Sequence, residues 1–372
     1  MEYTTRYQQL AHELTGASSA LSGNSGVVVR YFPFHSQAVG GNGPTVVSLV
    51  NNDEVPENYQ FQYPVFYAAG KLRQDELIIL FHGLNERNWT KYYTWAEYLC
   101  STTGKAVVLF PIAYHVNRSP AAWSDPRVLQ SLLVQRRERT GNDRSLSFAN
   151  LALSERLSER PLRFFTSGRQ SYLDVVNFCA TIKRGQHPLF AANSCVDVFA
   201  YSIGAFLAQL LFLSNPSGLF SGSRLFMLCG GSIFSGMYGC SRSIMDAASY
   251  ERLYQYYLQE FDLAAAERVA GSELARTFHS MIAPFNFTDR RLQLFQKMKD
   301  RIRGISLARD QVIPYKGVQE AMGAGLAGQT VELMDFSYAY SHENPFPVSK
   351  EYKREIDAAF LKIFKIAAEF LT

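Results

Sequence analysis

The sequence predicts an α/β fold, in which helices flank a mostly parallel central sheet. The first observation is a set of short, continuous apolar runs such as residues 77–81, which are typical of strands buried on both faces of a parallel sheet. The second is that these runs alternate with helical patterns, the order expected of βαβ units. The third is the length of 372 residues, which allows a large core with inserted segments.

Residues 1–76 are predicted to be an N-terminal segment that supplies edge strands of the sheet. Residues 27–32, 45–50 and 61–67 are rich in β-branched and aromatic side chains, and residues 16–26 predict a loop. No helical pattern separates these predicted strands. We therefore expect antiparallel strands at the N-terminal edge of the sheet.

The regular alternation of strands and helices begins at residue 77. Predicted strands are 77–81, 106–110, 196–201, 224–229, 302–307 and 330–334, and predicted helices are 92–102, 172–183, 203–213, one from residue 315, and 351–370. Two insertions interrupt this pattern: a polar, irregular one at about 115–168 and a helical one at 232–300, which we predict to be a cap. The core itself then divides into residues 77–231 and 301–372.

Composition and charge exclude several other classes of protein. The net charge of +4 is small and spread along the chain, which gives no case for nucleic-acid binding. No run reaches the ~18 apolar residues of a membrane span, so no integral membrane contact is expected. The five cysteines are odd in number and lack C-x-x-C spacing, which indicates neither a disulfide framework nor a zinc site. Because the N-terminus lacks the pattern of a signal peptide, we expect a cytoplasmic protein.

The strongest chemical motif is Ala200-Tyr201-Ser202-Ile203-Gly204, which lies between a predicted buried strand and a predicted helix. A nucleophile elbow needs small residues two before and two after its serine, because the turn is strained and the strand and helix approach closely. Ala200 and Gly204 meet this need. The alternative is a serine with a structural role in the turn.

With this motif in this place, the chain beyond the N-terminal segment resembles the α/β-hydrolase superfamily, although Ala200 stands where glycine is commoner. The resemblance implies a serine hydrolase whose triad follows in the chain order Ser, acid, His. Ser202 is then the nucleophile, Asp310 in the loop after residues 302–307 is the acid, and His342 before the final helix is the general base.

Other residues compete for two of these roles. Asp310 has the alternative of capping the next helix or pairing with Arg309. Asp335 and Glu332 are the fallback acids, although they lie on or just after the last predicted strand. Among the other histidines, His187 is expected at the surface or in a loop.

His82-Gly83-Leu84 follows the first predicted buried strand, where the superfamily carries a His-Gly oxyanion segment. The resemblance implies that the backbone amides of Leu84 and Ile203 hold the oxyanion. Gly83 lets the backbone turn close to the substrate. His82 borders the expected pocket, and we expect its ring to hold the loop by hydrogen bonds.

The predicted substrate pocket also takes residues that follow the second buried strand. Tyr114, His115 and Arg118 stand there, at the end of the sheet that faces the ligand crevice in this class of fold. They are candidates for substrate contacts. The alternative is that they anchor the first insertion.

The implied reaction is acyl transfer to water through an acyl-enzyme, with a small-molecule acyl substrate and no metal or organic cofactor. Cleavage of a carboxylic ester is the first choice because it is chemically easiest. A thioesterase or an acyltransferase is the alternative on the same triad. A non-catalytic binding protein that retains the fold is the alternative from another class. The sequence gives no indication of the oligomeric state.

Overall fold

The computed structural model describes residues 2–14, 19–20, 26–37, 50 and 53–372. The strand predicted at 45–50 and the loop predicted at 16–26 lie almost wholly outside the described residues. Within the described ranges, no helix is both long enough and apolar enough to cross a membrane.

Nine strands of the described residues form a single sheet. They are β1 (Ser19–Ala20), β2 (Val27–His35), β3 (Gln60–Ala68), β4 (Gln74–Phe81), β5 (Ala106–Leu109), β6 (Phe190–Tyr201), β7 (Leu225–Leu228), β8 (Ile302–Leu307) and β9 (Val331–Met334). Their order across the sheet is β1-β2-β3-β5-β4-β6-β7-β8-β9. The pairs from β1 to β5 along this order are antiparallel, and all later pairs are parallel. The predicted mostly parallel sheet with an antiparallel N-terminal edge is therefore confirmed.

Helices cover both faces of the sheet, as predicted. They are α1 (Tyr3–Glu13), α2 (Pro56–Tyr59), α3 (Thr90–Thr103), α4 (Pro126–Arg139), α5 (Leu151–Glu159), α6 (Arg163–Lys183), α7 (Ile203–Ser214), α8 (Ala247–Gln255), α9 (Leu263–Ala270), α10 (Ser272–Ser280), α11 (Thr288–Gln296), α12 (Tyr315–Met322), α13 (Ala324–Thr330) and α14 (Lys353–Leu371). A π-helical turn at Tyr256–Glu260 continues α8.

Two apolar cores lie on opposite faces of the sheet, because successive side chains of a strand point to opposite faces. Leu77, Ile79 and Phe81 of β4 belong to the core that α6, α7 and α10 cover. Ile78 and Leu80 belong to the core that α1, α3 and α14 cover. All five side chains are fully buried, which is why this run of the sequence is apolar throughout.

Two helices lie in the N-terminal segment, where the sequence predicts strands and loops alone. α1 packs against α3 and α14, and its Tyr3 ring stacks on Phe360 with the centroids 4.3 Å apart. α2 is a single turn before β3. α1 buries little besides Tyr3, Thr4 and Leu10, so its sequence carries only a weak helical period.

The prediction that the first insertion (115–168) is irregular is wrong, because it contains α4, α5 and the start of α6. Leu129 and Leu133 are the only buried apolar residues of α4, so its apolar stripe is too narrow to show a helical period. The start of α4 does follow a sequence rule. Asp125 caps the helix with its side chain, and Pro126 takes the first helical position.

The first insertion contacts the helical segment at 232–300. Arg136 on α4 forms a buried, bidentate ion pair with Asp246, whose side chain also caps α8. α5 packs against α8 beside this pair. The two segments therefore support each other above the sheet, while the division of the chain into domains at these boundaries stays a prediction.

Candidate active site

Ser202 occupies a sharp turn between β6 and α7. Its φ of 56° and ψ of −126° lie in a region that residues other than glycine rarely adopt. A Cβ on Gly204 would lie 2.7 Å from both the His82 carbonyl oxygen and the Phe81 Cβ, so α7 and β4 can approach only with a glycine there. Ala200 is fully buried on the other side of the turn. The turn therefore has the strain and the close packing of a nucleophile elbow.

Ser202, His342 and Asp310 form one chain of hydrogen bonds. The Ser202 Oγ lies 2.7 Å from Nε2 of His342, and Nδ1 of His342 lies 2.7 Å from Oδ2 of Asp310. The other carboxylate oxygen of Asp310 accepts 2.9 Å bonds from the amides of Val312 and Ile313. All three side chains are buried. An Nδ1–H held by the carboxylate leaves the Nε2 lone pair free to accept the serine proton.

The alternative acids lie away from this chain of hydrogen bonds. Asp335 is more than half exposed and pairs with Arg309 at 2.8 Å and with the Tyr340 hydroxyl at 2.6 Å. Glu332 points to solvent on β9. Since Arg309 is bonded to Asp335, the alternative of an Arg309–Asp310 pair does not hold. Asp310 does bind two amides of its own loop, so it combines a capping role with its contact to the histidine.

The loop after β4 holds the peptide between Gly83 and Leu84 in one orientation. Nδ1 of His82 donates to the Gly83 carbonyl oxygen at 2.7 Å, and Nε2 accepts from the Ile112 amide at 2.9 Å. Burial lowers the pKa of His82 to about 3, so the ring is neutral, as this pattern requires. In a planar trans peptide the carbonyl and the next N–H point in opposite directions. His82 therefore aims the Leu84 amide away from its own ring.

The two amides implied as oxyanion donors have free N–H groups. Among the hydrogen bonds of the described residues, neither the Leu84 amide nor the Ile203 amide has a partner. The Gly83 amide, by contrast, donates to the Tyr92 hydroxyl at 2.9 Å. Leu84 and Ile203 both border the space beside Ser202. Two unused donors next to a candidate nucleophile are the arrangement that an oxyanion hole needs.

Three residues that hold the site were missed by sequence reasoning. Asn85 has a left-handed φ of 62°, and its Nδ2 donates at 2.7 Å to the carbonyl oxygens of Ala149 and Ser243, one in each insertion. The Tyr92 hydroxyl holds the Gly83 amide, as described above. The Tyr201 hydroxyl donates to the carbonyl oxygen of His342 and so fastens the histidine loop. These partners are distant in sequence, and no local pattern marks them.

The residues after the second buried strand are all predicted to line the substrate pocket, and the structure places them in two different environments. Tyr114 and His115 line a cavity beside the loop after β4. His115 Nδ1 contacts the Ala113 carbonyl oxygen at 2.8 Å, and burial lowers its pKa to about 3. Arg118 as a substrate contact is wrong. It is fully buried, pairs with Asp174 at 2.8 Å and binds backbone carbonyls, so it anchors the segment.

The prediction that His82 borders the substrate pocket is likewise wrong. Its side chain is fully buried beneath the loop, and both of its ring nitrogens are engaged by the backbone. The ring thus holds the loop, as the sequence also led us to expect. Gly83, in contrast, borders the open cleft at Ser202. A Cβ at Gly83 would lie 3.1 Å from the Tyr201 ring, so a larger residue has little room.

Two spaces of different character meet at Ser202. The first, which we call the apolar cavity, is lined mainly by apolar side chains that include Phe164, Phe234, Met237, Met245, Leu253 and Val312. The second, which we call the polar cleft, is lined by Asn85, Glu86, Arg87, Lys91, His342 and Glu343, among others. Ser202 itself lines both spaces. A substrate bound at this serine therefore has two environments for its two halves.

The charged groups of the polar cleft differ in how they are paired. Lys91 forms an ion pair with Glu86, and its Nζ also donates to the Glu343 carbonyl oxygen at 3.0 Å. Burial opposes ionisation of Glu343, but hydrogen bonds led by that from Ser241 outweigh it and lower its pKa.

Across the part of the chain that the structure describes, no group of three or more His, Cys, Asp or Glu side chains is placed to hold a metal ion.

A family model matches nearly the whole chain. It is DUF6051, described as a family of unknown function, and it matches residues 34–372. The chain belongs to DUF6051. Among curated proteins, no sequence matches this DUF6051 protein.

Solved structures similar to this DUF6051 protein include three hydrolases. A cold-adapted esterase from an Arctic intertidal metagenomic library has 11% identity and a TM-score of 0.41, with 96% of this chain and 99% of that chain covered. An esterase of Pyrobaculum calidifontis has 11% identity and a TM-score of 0.44, with 98% and 91% covered. An alpha/beta hydrolase from the metagenome of Lake Arreo, Spain, has 11% identity and a TM-score of 0.46, with 99% and 87% covered.

At that distance, the site of the DUF6051 protein has to be judged on its own geometry. Its sheet order, its antiparallel N-terminal edge and the strained turn after β6 give the chain an α/β-hydrolase fold. A shared fold does not establish activity, because function resides in the site. The side chains around Ser202 therefore carry the evidence for function.

Proposed function

We propose that this DUF6051 protein is a serine hydrolase that cleaves a carboxylic ester or a related acyl bond. The observation that carries the proposal is the buried series of two 2.7 Å hydrogen bonds that links Ser202, His342 and Asp310 at a strained strand-to-helix turn. A structural turn serine needs neither a histidine acceptor nor a carboxylate behind that histidine. The nearby free amides of Leu84 and Ile203 add the donors that acyl transfer requires.

The proposed reaction proceeds in two halves. The Ser202 Oγ attacks the acyl carbon while His342 takes the hydroxyl proton, and the amides of Leu84 and Ile203 bind the negative oxygen of the tetrahedral intermediate. The bond to the leaving group then breaks, and His342 gives that group its proton. In the second half a water molecule transfers a proton to His342 and attacks the acyl carbon. The bond from that carbon to the Ser202 Oγ then breaks, and His342 returns the proton to the serine oxygen, which releases the acid and restores Ser202. Asp310 holds the imidazole in the required tautomer throughout.

A fluorophosphonate probe tests the proposal directly, because it reacts with an activated serine. We expect the wild-type protein to be labelled at Ser202 and the Ser202→Ala variant to remain unlabelled. Ser243→Ala is the matched control, since Ser243 lines the same cleft but has no contact with His342, and this variant should label like the wild type. No labelling of the wild type, or labelling that persists in Ser202→Ala, would contradict the proposed function.

Hydrolysis assays then define the bond that is cleaved. A panel of esters and thioesters with the same acyl groups should show turnover by the wild type and none by Ser202→Ala. We expect the esters to be hydrolysed. Turnover of the thioesters alone would correct the reaction subclass to that of a thioesterase on the same triad.

A further inference from the structure

We propose that the substrate joins an apolar acyl group, bound in the apolar cavity, to a polar alcohol that donates hydrogen bonds and is bound in the polar cleft. This inference rests on the proposed function and extends it, because it names which half of the substrate occupies which space. It follows from the lining of the two spaces and from the position of His342 between them.

The two spaces share few residues. Leu84, Ser202 and Ile244 line both the apolar cavity and the polar cleft. The remaining lining residues belong to one space or the other. A molecule whose reacting carbon lies at the Ser202 Oγ can therefore extend one substituent into each space, and the two substituents then meet opposite environments.

The position of His342 decides the orientation. His342 lines the polar cleft and not the apolar cavity, whereas Ile203, a proposed oxyanion donor, lines the apolar cavity and not the cleft. The leaving group takes its proton from the imidazole, so its oxygen must lie within hydrogen-bond reach of Nε2. The alcohol half of an ester thus leaves through the polar cleft. The acyl half is then directed toward the apolar cavity.

The chemistry of the apolar cavity selects an apolar acyl group. No charged side chain is among its lining residues. The Tyr250 hydroxyl is already engaged, since it donates to the Met237 carbonyl oxygen at 3.0 Å. A polar group on the acyl chain would therefore lose its water without gaining a partner, which is unfavourable. Alkyl or aromatic acyl groups gain free energy in proportion to the area they bury.

The chemistry of the polar cleft selects a leaving group that donates hydrogen bonds. The Lys91 charge is paired with Glu86, and the Arg87 guanidinium donates to the carbonyl oxygens of Trp123 and Ala149. Glu343 follows His342 in the chain, and no basic side chain of the described residues forms an ion pair with it. Its carboxylate already accepts hydrogen bonds, led by that from Ser241. A carboxylate has about four acceptor sites, so the remaining ones are open to a hydroxyl or ammonium group in the polar cleft that His342 also lines. A leaving group with a negative charge next to Glu343 would be repelled by this carboxylate.

The acyl half is tested with p-nitrophenyl esters from acetyl to decanoyl. We expect kcat/KM to rise roughly fourfold per methylene until the cavity is filled, as the transfer of each CH₂ predicts. Leu253→Trp should move the optimum to shorter chains and Leu253→Ala to longer ones. Leu213→Ala is the matched control, a buried leucine that lines neither space, and should leave the optimum unchanged. If Leu253→Trp fails to fold, Leu253→Ala still decides the question.

The alcohol half is tested with ethyl, 2-hydroxyethyl and carboxymethyl esters of the preferred acid. The intrinsic reactivity of the three esters differs, so the ratio of Glu343→Gln to wild type is compared for each ester. Relative to the ethyl ester, we expect Glu343→Gln to lower kcat/KM roughly 3–10-fold further for the 2-hydroxyethyl ester and to raise it for the carboxymethyl ester. Glu332→Gln, a change of the same kind at an exposed site on β9, should alter none of them.

The failure of this inference is distinguishable from the failure of the proposed function. A protein that labels at Ser202 but shows no rise of kcat/KM with acyl length, or no shift in the Leu253 variants, overturns the assignment of the acyl group. Equal effects of Glu343→Gln on all three esters overturn the assignment of the alcohol. A wild-type protein that does not label at all overturns the proposed function, and this inference with it.

Discussion

At the scale of single residues, the site depends on the orientation of one peptide. The carbonyl oxygen of Gly83 accepts from His82, and the N–H of the same peptide belongs to Leu84, which has no partner among the described hydrogen bonds. If that peptide rotated, its carbonyl oxygen would face the developing negative charge and the donor would be lost. His82 thus acts as a positioning residue, through the backbone and not through the substrate.

Replacing His82 should therefore slow the chemical step more than it weakens substrate binding. We expect His82→Ala to lower kcat by roughly 10²–10³-fold, the usual cost of one oxyanion donor, with KM little changed. The Ile112 amide also loses its acceptor, which should cost about 1–3 kcal/mol in the free energy of unfolding.

The conservative variant separates positioning from folding. In His82→Asn, the side-chain amide can still donate to the Gly83 carbonyl oxygen, so part of kcat should return. Steady-state kinetics and urea unfolding of both variants provide the check. A rise in KM at constant kcat would show that His82 does not act through the oxyanion loop.

A second prediction at this scale concerns the acid of the triad. Asp310→Asn should leave the fold largely intact and reduce acyl turnover by roughly 10⁴-fold, because the amide no longer holds the imidazole in the productive tautomer. Single-turnover kinetics with an activated ester measure the loss. The matched control is Asp335→Asn, which removes an exposed carboxylate bonded to Arg309 and should change turnover little. Loss of activity in the control instead would transfer the role to Asp335.

The sequence could predict some of these residues and not others, for a physical reason. Ser202 lies in a local motif, and Asp310 and His342 follow particular strands, so topology alone suggested that they meet. Arg118 carries no such mark, because its partner Asp174 lies 56 positions further along the chain. Whether an arginine faces a ligand or a buried carboxylate depends on that distant partner, which neither composition nor spacing reveals.

At the scale of elements, the close contact of α7 with β4 places the serine. Gly204, in the first turn of α7, leaves no room for a Cβ against the backbone after β4. Gly230, after β7, is equally confined, because its Cβ would lie 2.5 Å from that of Ala205. α7 is therefore held between two backbone segments. Its N-terminus, and with it Ser202, has one position.

A methyl group at Gly204 should therefore damage both stability and activity. We expect Gly204→Ala to lower the free energy of unfolding by about 1–3 kcal/mol, because the contact is with backbone that cannot move aside without displacing the helix. Urea unfolding measures the change. Gly325→Ala in α13, with nothing within 4 Å of its Cβ, is the matched control and should be neutral or slightly stabilising. Equal stability of Gly204→Ala and the wild type would contradict the packing argument.

The elements that could be predicted are those whose burial is regular. β4, β5, β6 and β7 are apolar over several consecutive residues because both of their faces are covered, and this pattern is visible in the sequence. α4 and α5 pack above the sheet with ion pairs such as that of Arg136 with Asp246, so charged residues take positions where a helical period would show apolar ones. Their burial becomes apparent only when both insertions are in place.

At the scale of the whole molecule, three buried histidines oppose protonation. Burial lowers the pKa of His82 and His115 to about 3 and that of His187 to about 4. His187 lies in a loop, as expected, but its ring is buried and not at the surface. Its Nδ1 accepts from the Leu189 amide at 3.1 Å, so a proton on that nitrogen would break the bond.

The stability of the protein should therefore fall in mild acid. In the unfolded chain these histidines have an ordinary pKa near 6.5, so below that pH the unfolded state binds protons that the folded state does not. Above about pH 6.5 the three rings are neutral in both states, and the free energy of unfolding is at its full value. It then falls as the pH drops from about 6.5 toward the folded-state pKa values of about 4 for His187 and about 3 for His82 and His115. The free energy of unfolding, measured by urea titration at a series of pH values, should decline across this window.

A variant isolates one of the three groups. His187→Gln should reduce the slope of unfolding free energy against pH by the equivalent of about one proton at pH 5. His35→Gln changes an exposed ring on β2 and is the control, with the slope expected to stay the same. An unchanged slope in His187→Gln would mean that the His187 ring is protonated equally in the folded and unfolded states.

The two hydrogen bonds of Asn85 predict which segments of this protein can be replaced in a chimera. Asn85 follows the proposed oxyanion donor Leu84 and holds one backbone carbonyl from each insertion, at Ala149 and at Ser243. A chimera that takes only one of these segments from another protein of this fold would displace one of the two carbonyl acceptors. A chimera should therefore fold better when both segments are exchanged together with the loop that carries Asn85.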